Sequence, residues 1–474
     1  MTISKDKLIR EYVRAIKEGN AAIFAGAGLS RASGYTNWKG LLKPMAEEIG
    51  LDIDKETDLL AVAQYYRNEC TSRSRINSKI LSAFTKDTVE NENVNIITRL
   101  PISTYWTTNY DNLIEKGLEA ANRKKDVKIE SDQLVNAVPG RDAVVYKMHG
   151  DSERPANAVL TKDDYVLYDK KRPLFKTVLK GDLLSKQFLF IGFSFEDPNL
   201  DYILNQIHAL IGENVQEHYC FFRKVQRNDY DSDEEYGYEE AKQDMRIRDL
   251  ARYGIETVYI NDFSEITEIL RNIEGAVKRN KVFISGSADD YGSWGKEKAE
   301  TLAKNIAEAL VRNEFQVTSG FGLGIGSAVV NGALEEIYRS KYKHMSDYLC
   351  LHPFPQNIIN PSERQKVFRK YREDMIGDTG IAIFLFGNKK DSSDSSKIIN
   401  ADGCWEEFKI ARGNGDIIIP VAGTGFVAEK IMEEVKQHMD EFAYLEDYIS
   451  ILESETDIAK LTKVVLEIAN RWKI

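Results

Sequence analysis

Two doubly wound α/β units, each a Rossmann-like parallel sheet with helices on both faces, are what this 474-residue sequence predicts. Three observations lead there. Short apolar runs of strand length alternate with segments of helical period. Several of those runs end in turns that carry glycine or polar residues, the chain feature found at the ligand end of a parallel sheet. The whole pattern then starts again at Lys281. The expected domains are residues 1–278 and 279–474, since a chain this long exceeds one ordinary core.

The first unit opens with a helix over Lys5–Lys17, where Leu8, Ile9, Tyr12, Val13 and Ile16 share one face. Gly19-Asn20 ends it, and Ala21–Ala25 follows as a buried strand running into Gly26-Ala27-Gly28-Leu29-Ser30. Further strands are expected at Thr104–Thr107, Ala143–Met148 and Gln187–Gly192, with helices at Asp58–Asn68 and Asn109–Ala120 among the connections. The stretch Asp229–Asp244 is dense in Asp, Glu and Tyr and reads as an exposed helix-and-loop insertion. A strand at Glu256–Ile260 and a helix at Glu265–Val277 close the unit.

In the second unit, the strand beginning at Val282 enters a Gly/Ser turn and precedes a helix over Lys296–Arg312. A strand at Phe315–Thr318, the loop Ser319–Gly326 and a helix follow, then strands near Tyr348–Leu351, Ile381–Phe386 and Asp416–Val421. Lys389–Asp402 reads as a mobile loop. The short basic junction Lys278–Lys281 is not a flexible tether.

Composition excludes several function classes. The formal net charge of −11, with acidic and basic residues interleaved, argues against a phosphate-backbone binder. Cys70, Cys220, Cys350 and Cys404 are scattered, which fits a reducing compartment and neither a disulfide framework nor a zinc knuckle. No metal is expected. The N-terminal residues lack the apolar core of a secretory signal, and no apolar run is long enough for a membrane span, so a cytoplasmic location is expected.

The chemistry lies at the strand ends. Gly26-Ala27-Gly28 permits close approach of a pyrophosphate, and the helix start behind it offers N–H donors. Thr107-Thr108-Asn109-Tyr110-Asp111, Met148-His149-Gly150-Asp151 and Gly192-Phe193-Ser194-Phe195 follow three other strands. In an open parallel sheet these ends converge on one cleft. His149 closes an apolar strand inside a glycine-flanked turn, and an imidazole with its ordinary pKa of ~6.5 suits proton transfer near neutrality. Asn109 is suited to hold a water or a hydroxyl through its amide.

These four stations, in this order, resemble the sirtuin fold over roughly the first ~275 residues. The resemblance implies an NAD site in which Gly26, Ala27, Gly28 and Ser30 meet the phosphates. It also implies that Asn109 and Asp111 face the nicotinamide ribose, that His149 is the base, and that Gly192 and Ser194 hold the dinucleotide. Two departures matter: the four-cysteine zinc module of classical sirtuins is missing, and Gly34-Tyr35-Thr36-Asn37-Trp38 replaces the family's G-I-P-D-F-R run. Both count against a peptide substrate, so hydrolysis of NAD+ to nicotinamide and ADP-ribose is expected in place of deacylation.

The second unit carries Ser285-Gly286-Ser287 and the run Gly320-Phe321-Gly322-Leu323-Gly324-Ile325-Gly326 before a helix, a phosphate-cradle pattern. It resembles the SLOG family of nucleotide-binding domains but lacks the P-G-G-x-G-T motif of that family's phosphoribohydrolases, which favours sensing over catalysis. Expected ligand contacts are Gly286, Ser287, Gly322, Gly324, Gly326, Arg372, Lys389 and Glu407; Arg372 suits a phosphate and Glu407 ribose hydroxyls. A sirtuin-like domain followed by a SLOG domain is similar to the effectors of Thoeris anti-phage defence. That resemblance implies activation by a cyclic ADP-ribose isomer made by a TIR-domain partner, and a homotetramer or larger assembly. Two rivals remain open to test: an NAD-dependent protein deacylase, and a non-enzymatic nucleotide-binding scaffold.

Overall fold

The computed structural model describes residues 2–85, 88–195, 197–212, 216–355, 358, 360–391 and 393–473. The chain forms two compact units, Met1–Glu274 and Gly275–Ile474. Both are α/β and both are built on parallel sheets.

The first unit holds eight strands: β1 (Thr2–Ile3), β2 (Ala21–Ala25), β3 (Thr104–Thr107), β4 (Lys125–Lys128), β5 (Ala143–Lys147), β6 (Gln187–Ile191), β7 (His218–Arg223) and β8 (Ile255–Ile260). Their order is β1-β8-β7-β6-β2-β3-β5-β4, with every pairing parallel. β2 lies centrally, with β3 on one side and β6 on the other, so the chain runs on from β2 toward one edge of the sheet and from β6 toward the other. Such a reversal of strand order marks the carboxyl-end position where ligands of such sheets sit.

Burial explains the strand sequences. All five residues of β2 and all five of β6 are buried, and parallel sheets covered on both faces need such continuous apolar runs. Phe24, Phe188 and Phe190 pack with Trp106, Phe175 and Leu179 in the main core. Each such side chain contributes roughly 1.5–3 kcal/mol on burial. A separate helical cluster, from helices Trp38–Glu48, Leu59–Glu69 and Ser74–Phe84, packs Leu42, Met45, Val62, Tyr66 and Ile76 against Tyr110 and Leu160. The helix expected from Asn109 begins only at Leu113, because the side chains of Asn109 and Asp111 bond elsewhere and hold residues 108–112 as a loop. The acidic stretch forms the short turn Arg227–Asp229 and the first part of helix Asp233–Ala251.

The second unit has a five-stranded sheet of β9 (Lys281–Ser287), β10 (Gln316–Ser319), β11 (Leu349–Leu351), β12 (Ile381–Phe386) and β15 (Ile417–Val421), ordered β11-β10-β9-β12-β15. The Lys389–Asp402 stretch, read from sequence as a loop, is an antiparallel ribbon: β13 (Asn388–Lys390) pairs with β14 (Ile398–Asn400). Strands of three residues, Asn-Lys-Lys and Ile-Ile-Asn, are too short to show the alternation by which a sequence reveals a strand. Among the described residues no helix is long and apolar enough to cross a membrane.

One buried carboxyl sets a pH dependence. Asp416, just before β15, has an Oδ2 without a hydrogen-bond partner; burial, opposed by Lys278, pushes its pKa up to about 7. A folded-state pKa raised above the unfolded value gives stability that is complete below about pH 4 and lost as pH rises through 7. The span corresponds to roughly 4 kcal/mol. Asp416→Asn is therefore expected to raise the thermal midpoint at pH 8 and to change it little at pH 5. An equal effect at both pH values would refute the assignment.

Candidate functional site

The loops leaving β2 and β6 touch backbone to backbone. Gly26 N–H donates to Ile191 O (2.9 Å) and Gly28 N–H to Gly192 O (2.8 Å). A Cβ at Gly26 would stand 2.4 Å from Gly192 O, one at Gly28 2.7 Å from Gly192 Cα, and one at Gly192 2.1 Å from Leu29 N. Gly192 also has φ +65°, a left-handed conformation that suits glycine. These glycines are thus required by the meeting of two loops, a reason separate from phosphate approach. Ala27 opens the helix Ala27–Arg31 next to them, half-buried. Ser194 is exposed, and its carbonyl accepts from the Arg246 guanidinium.

Asn109 follows β3 and faces this contact. Its backbone N–H donates to Thr107 Oγ1 (2.9 Å), and that hydroxyl donates to Ala25 O (2.9 Å), which ties the ends of β2 and β3. Its side-chain Nδ2 donates to Gly26 O (3.0 Å) and to Ser30 Oγ (2.9 Å). Ser30 Oγ in turn donates to Asp111 Oδ2 (2.7 Å), and Leu113 N–H caps the other oxygen (3.1 Å). Both amide hydrogens of Asn109 are therefore spent, and Oδ1 is left as an acceptor with no partner among the described residues. Sequence reasoning had Ser30 on a phosphate and Asp111 on a ribose. The structure buries both side chains and links them to Asn109 in one chain of hydrogen bonds, Asn109 to Ser30 and Ser30 to Asp111. Burial raises the Asp111 carboxyl, against the Ser30 hydroxyl and Lys147.

His149 lies one residue beyond Met148, past the end of β5, and is buried. Its Nε2 stands 3.0 Å from Asp197 Oδ2, off the line a formed N–H···O bond requires, so this is a close approach that a small ring rotation would complete. Asp197 is itself held rigidly. Its Oδ1 caps helix Pro198–Ile211 through Asn199 and Leu200 N–H (3.0 Å each), and its Oδ2 accepts from Tyr165 OH (3.0 Å). Burial pushes the Asp197 carboxyl up, but the His149 imidazole and these donors outweigh it and hold it below the usual carboxylate range. Sequence reasoning missed Asp197 and Tyr165. The Asp197-Pro198 pair is a helix-start signal that could have located the first; nothing marks the second. A cleft of about 440 Å³ is lined by Tyr35, Phe84, Asn112, Lys116, Ser152 and Glu153 among others; Asn112 and Ser152 lie three residues beyond Asn109 and His149, which do not themselves line it.

In the second unit, the glycine loop after β10 lies on the turn after β9. A Cβ at Gly322 would meet Gly286 O at 2.0 Å, one at Gly324 would meet Ala288 O at 2.2 Å, and one at Gly326 would meet the Phe321 carbonyl carbon at 2.5 Å. Ser287 Oγ donates to Asn388 O (3.0 Å). Glu407 is buried in the second turn of helix Asp402–Asn414, where Ser285 Oγ donates to its Oε2 (2.6 Å). Burial raises its carboxyl pKa, against Ser285 and Arg372. Arg372 is already engaged, with Nη1 on Glu406 (2.6 Å) and Nε near Glu407 (3.4 Å). Lys389 pairs instead with Asp402 (2.7 Å) on the ribbon. Gly286, Gly322, Arg372 and Glu407 thus group around the β9 and β10 ends, while Lys389 stands apart from the Arg372 pairings.

Among the described residues, no group of three or more His, Cys, Asp or Glu side chains could hold a metal ion. Residues 103–257 match the SIR2-like domain model, and residues 265–472 match the Sir2- and TIR-associating SLOG family. The "NAD(+) hydrolase ThsA" of Cytobacillus dafuensis is 46% identical over 93% of this chain and 90% of its own length. That of Enterococcus faecium is 40% identical over 99% of both chains. The chain belongs to the ThsA family. "Defense-associated sirtuin 2" of Bacillus subtilis is a more distant relative, 26% identical over 55% of this chain and 26% of its own. Within this ThsA-family chain, Asn109, His149 and Asp197 fall in the SIR2-like match, and Gly286, Gly322, Arg372 and Glu407 fall in the SLOG match.

Proposed function

We propose that the chain hydrolyses NAD+ at the nicotinamide glycosidic bond: NAD+ and water yield nicotinamide, ADP-ribose and a proton. The observation that carries this reading is Asn109 Oδ1, an oriented acceptor beside the meeting of the β2 and β6 loops. Nicotinamide is a good leaving group, so the transition state is a ribosyl cation that must be positioned and shielded while water is presented. Asn109 Oδ1 receives a hydrogen from that water or from a ribose hydroxyl. The glycine contact and the start of helix Ala27–Arg31 meet the pyrophosphate, with Gly192 and Ser194 beside it; the Gly28 and Leu29 N–H groups are themselves bonded to Gly192 O and Gly26 O. The cleft lined by Tyr35, Asn112 and Ser152 seats the nicotinamide ribosyl end. His149 takes up the proton, oriented by Asp197. Incubating the purified chain with NAD+ and following free nicotinamide tests the activity; an inert chain, with or without activator, would refute it.

The reading extends to regulation. The second unit senses a cyclic ADP-ribose isomer supplied by a TIR-domain protein, and a homotetramer or larger assembly carries the response in anti-phage defence by depleting NAD+. The activator's phosphates lie on the loop Gly322–Gly326 and its ribose hydroxyls near Glu407. Because Arg372 is already paired with Glu406 and Glu407, gripping a phosphate means exchanging one carboxylate for it. Charge-assisted hydrogen bonds contribute about 1.5–3 kcal/mol each. Arg372→Ala is therefore expected to raise the activator concentration for half-maximal NAD+ cleavage at least about tenfold, with the maximal rate little changed. An unchanged dose–response would remove Arg372 from the sensor.

A further inference from the structure

Lys147, the last residue of β5, has no solvent exposure, and the proposed chemistry does not use it. Its ammonium donates to the main-chain carbonyls of Asp111 (2.6 Å) and Tyr110 (3.3 Å), pairs with Glu115 Oε1 (2.9 Å) of helix Leu113–Ala120, and bonds Asp151. Every one of these partners belongs to a segment that carries or abuts the site. Tyr110 and Asp111 continue the loop of Asn109, and Asp151 lies two residues beyond His149. Ser152 N–H adds a direct stitch between the two loops, donating to Tyr110 O (2.9 Å). Asp151 Oδ1 is itself set by Glu153 N–H (2.7 Å).

A buried lysine is retained at a cost in desolvation, and an ordinary packing role at this point would be met by methionine. What methionine cannot do is hold two carbonyls of one loop and a carboxylate of another at the same time. We propose that Lys147 is a positioning residue for the NAD+ cleavage assigned above: it clamps the Asn109 loop to the His149 loop and so sets the spacing of the two groups. The inference rests on that hydrolase reading. Burial lowers the Lys147 ammonium pKa, but Glu115 and Asp151 outweigh it and hold the group above its ordinary value, so the clamp stays charged.

Replacing Lys147 alone strands two carboxylates, so the decisive variant is compensated: Lys147→Met with Glu115→Gln and Asp151→Asn, similar in volume and neutral throughout. With the full chain under conditions where the wild type turns over, this variant is expected to unfold cooperatively. Binding of NAD+, measured at equilibrium in a His149→Ala background, should stay within about threefold of the uncompensated background, while kcat falls about a hundredfold. A purely structural role would not produce the second signature, which is non-additivity. Adding Asn109→Ala should cost less than about tenfold in the compensated variant, because the asparagine there is already misplaced, against about a thousandfold in the wild type. Wild-type kcat in the folded variant, or an undiminished Asn109→Ala effect, would overturn the proposal. If the triple variant does not fold, Asp151→Asn alone decides: about a tenfold loss in kcat at constant KM is expected, and an unchanged kcat refutes the clamp. A wild type that cleaves no NAD+ overturns the hydrolase reading itself, a result distinct from any of these.

Discussion

Asn109→Ala is expected to lower NAD+ cleavage about a thousandfold, the loss typical of removing one preorganised polar group from a water-excluded site. The alanine removes the Oδ1 acceptor, leaves Ser30 Oγ without its donor and reduces Gly26 O to the single bond from Leu29 N–H. The second effect costs about 1–2 kcal/mol, so the thermal midpoint should fall by only a few degrees. Asn109→Asp separates the two contributions. It keeps an oxygen for the substrate but turns the other side of the group from donor to acceptor, against a carbonyl that can only accept. It should therefore be nearly as inactive as alanine. Nicotinamide release and a melting curve for both variants check this; alanine activity above one-tenth of wild type would take Asn109 out of the chemistry.

Gly192→Ala is expected to abolish both binding and cleavage of NAD+ and to destabilise the first unit by more than about 3 kcal/mol. The added carbon would lie 2.1 Å from Leu29 N and 2.6 Å from Gly28 C, main-chain atoms that no rotamer change can move aside. The φ of +65° adds roughly 1 kcal/mol of left-handed strain. Gly19→Ala is the control: φ is +72°, but nothing lies within 4 Å of the new carbon, so only the strain is felt. Equal destabilisation of the two variants, measured by chemical denaturation, would show that the β2 and β6 loops do not depend on their contact.

Both effects arise where the sequence was partly readable. The glycines of Gly26-Ala27-Gly28 and Gly192 were visible as strand-end turns, yet not as two halves of one contact, because residues 28 and 192 come together only through the crossover that places β6 beside β2. Asn109 and His149 stood out because each follows an apolar strand. The same reasoning set the start of the next helix at Asn109, where helical period continues, and missed that the Asn109 and Asp111 side chains draw the chain into a loop. Asp197, Tyr165 and Lys147 gave no comparable signal. A carboxylate at a helix cap, a tyrosine in a short helix and a lysine at the end of an apolar strand are each ordinary in sequence. Their meaning comes from what burial places opposite them.

By itself, the sequence determined the class of fold, two parallel α/β units, and the glycine-bearing and polar turns at the ends of their strands. Those properties follow from local period and from turn chemistry, which neighbouring residues write together. Tertiary structure alone decided what each polar group does there. Ser30 links the Asn109 amide to Asp111, Arg372 pairs with Glu406, and Lys147 bridges two loops. Hydrogen bonds and ion pairs join residues by distance in space and desolvation ranks them, and neither quantity has a period along the chain.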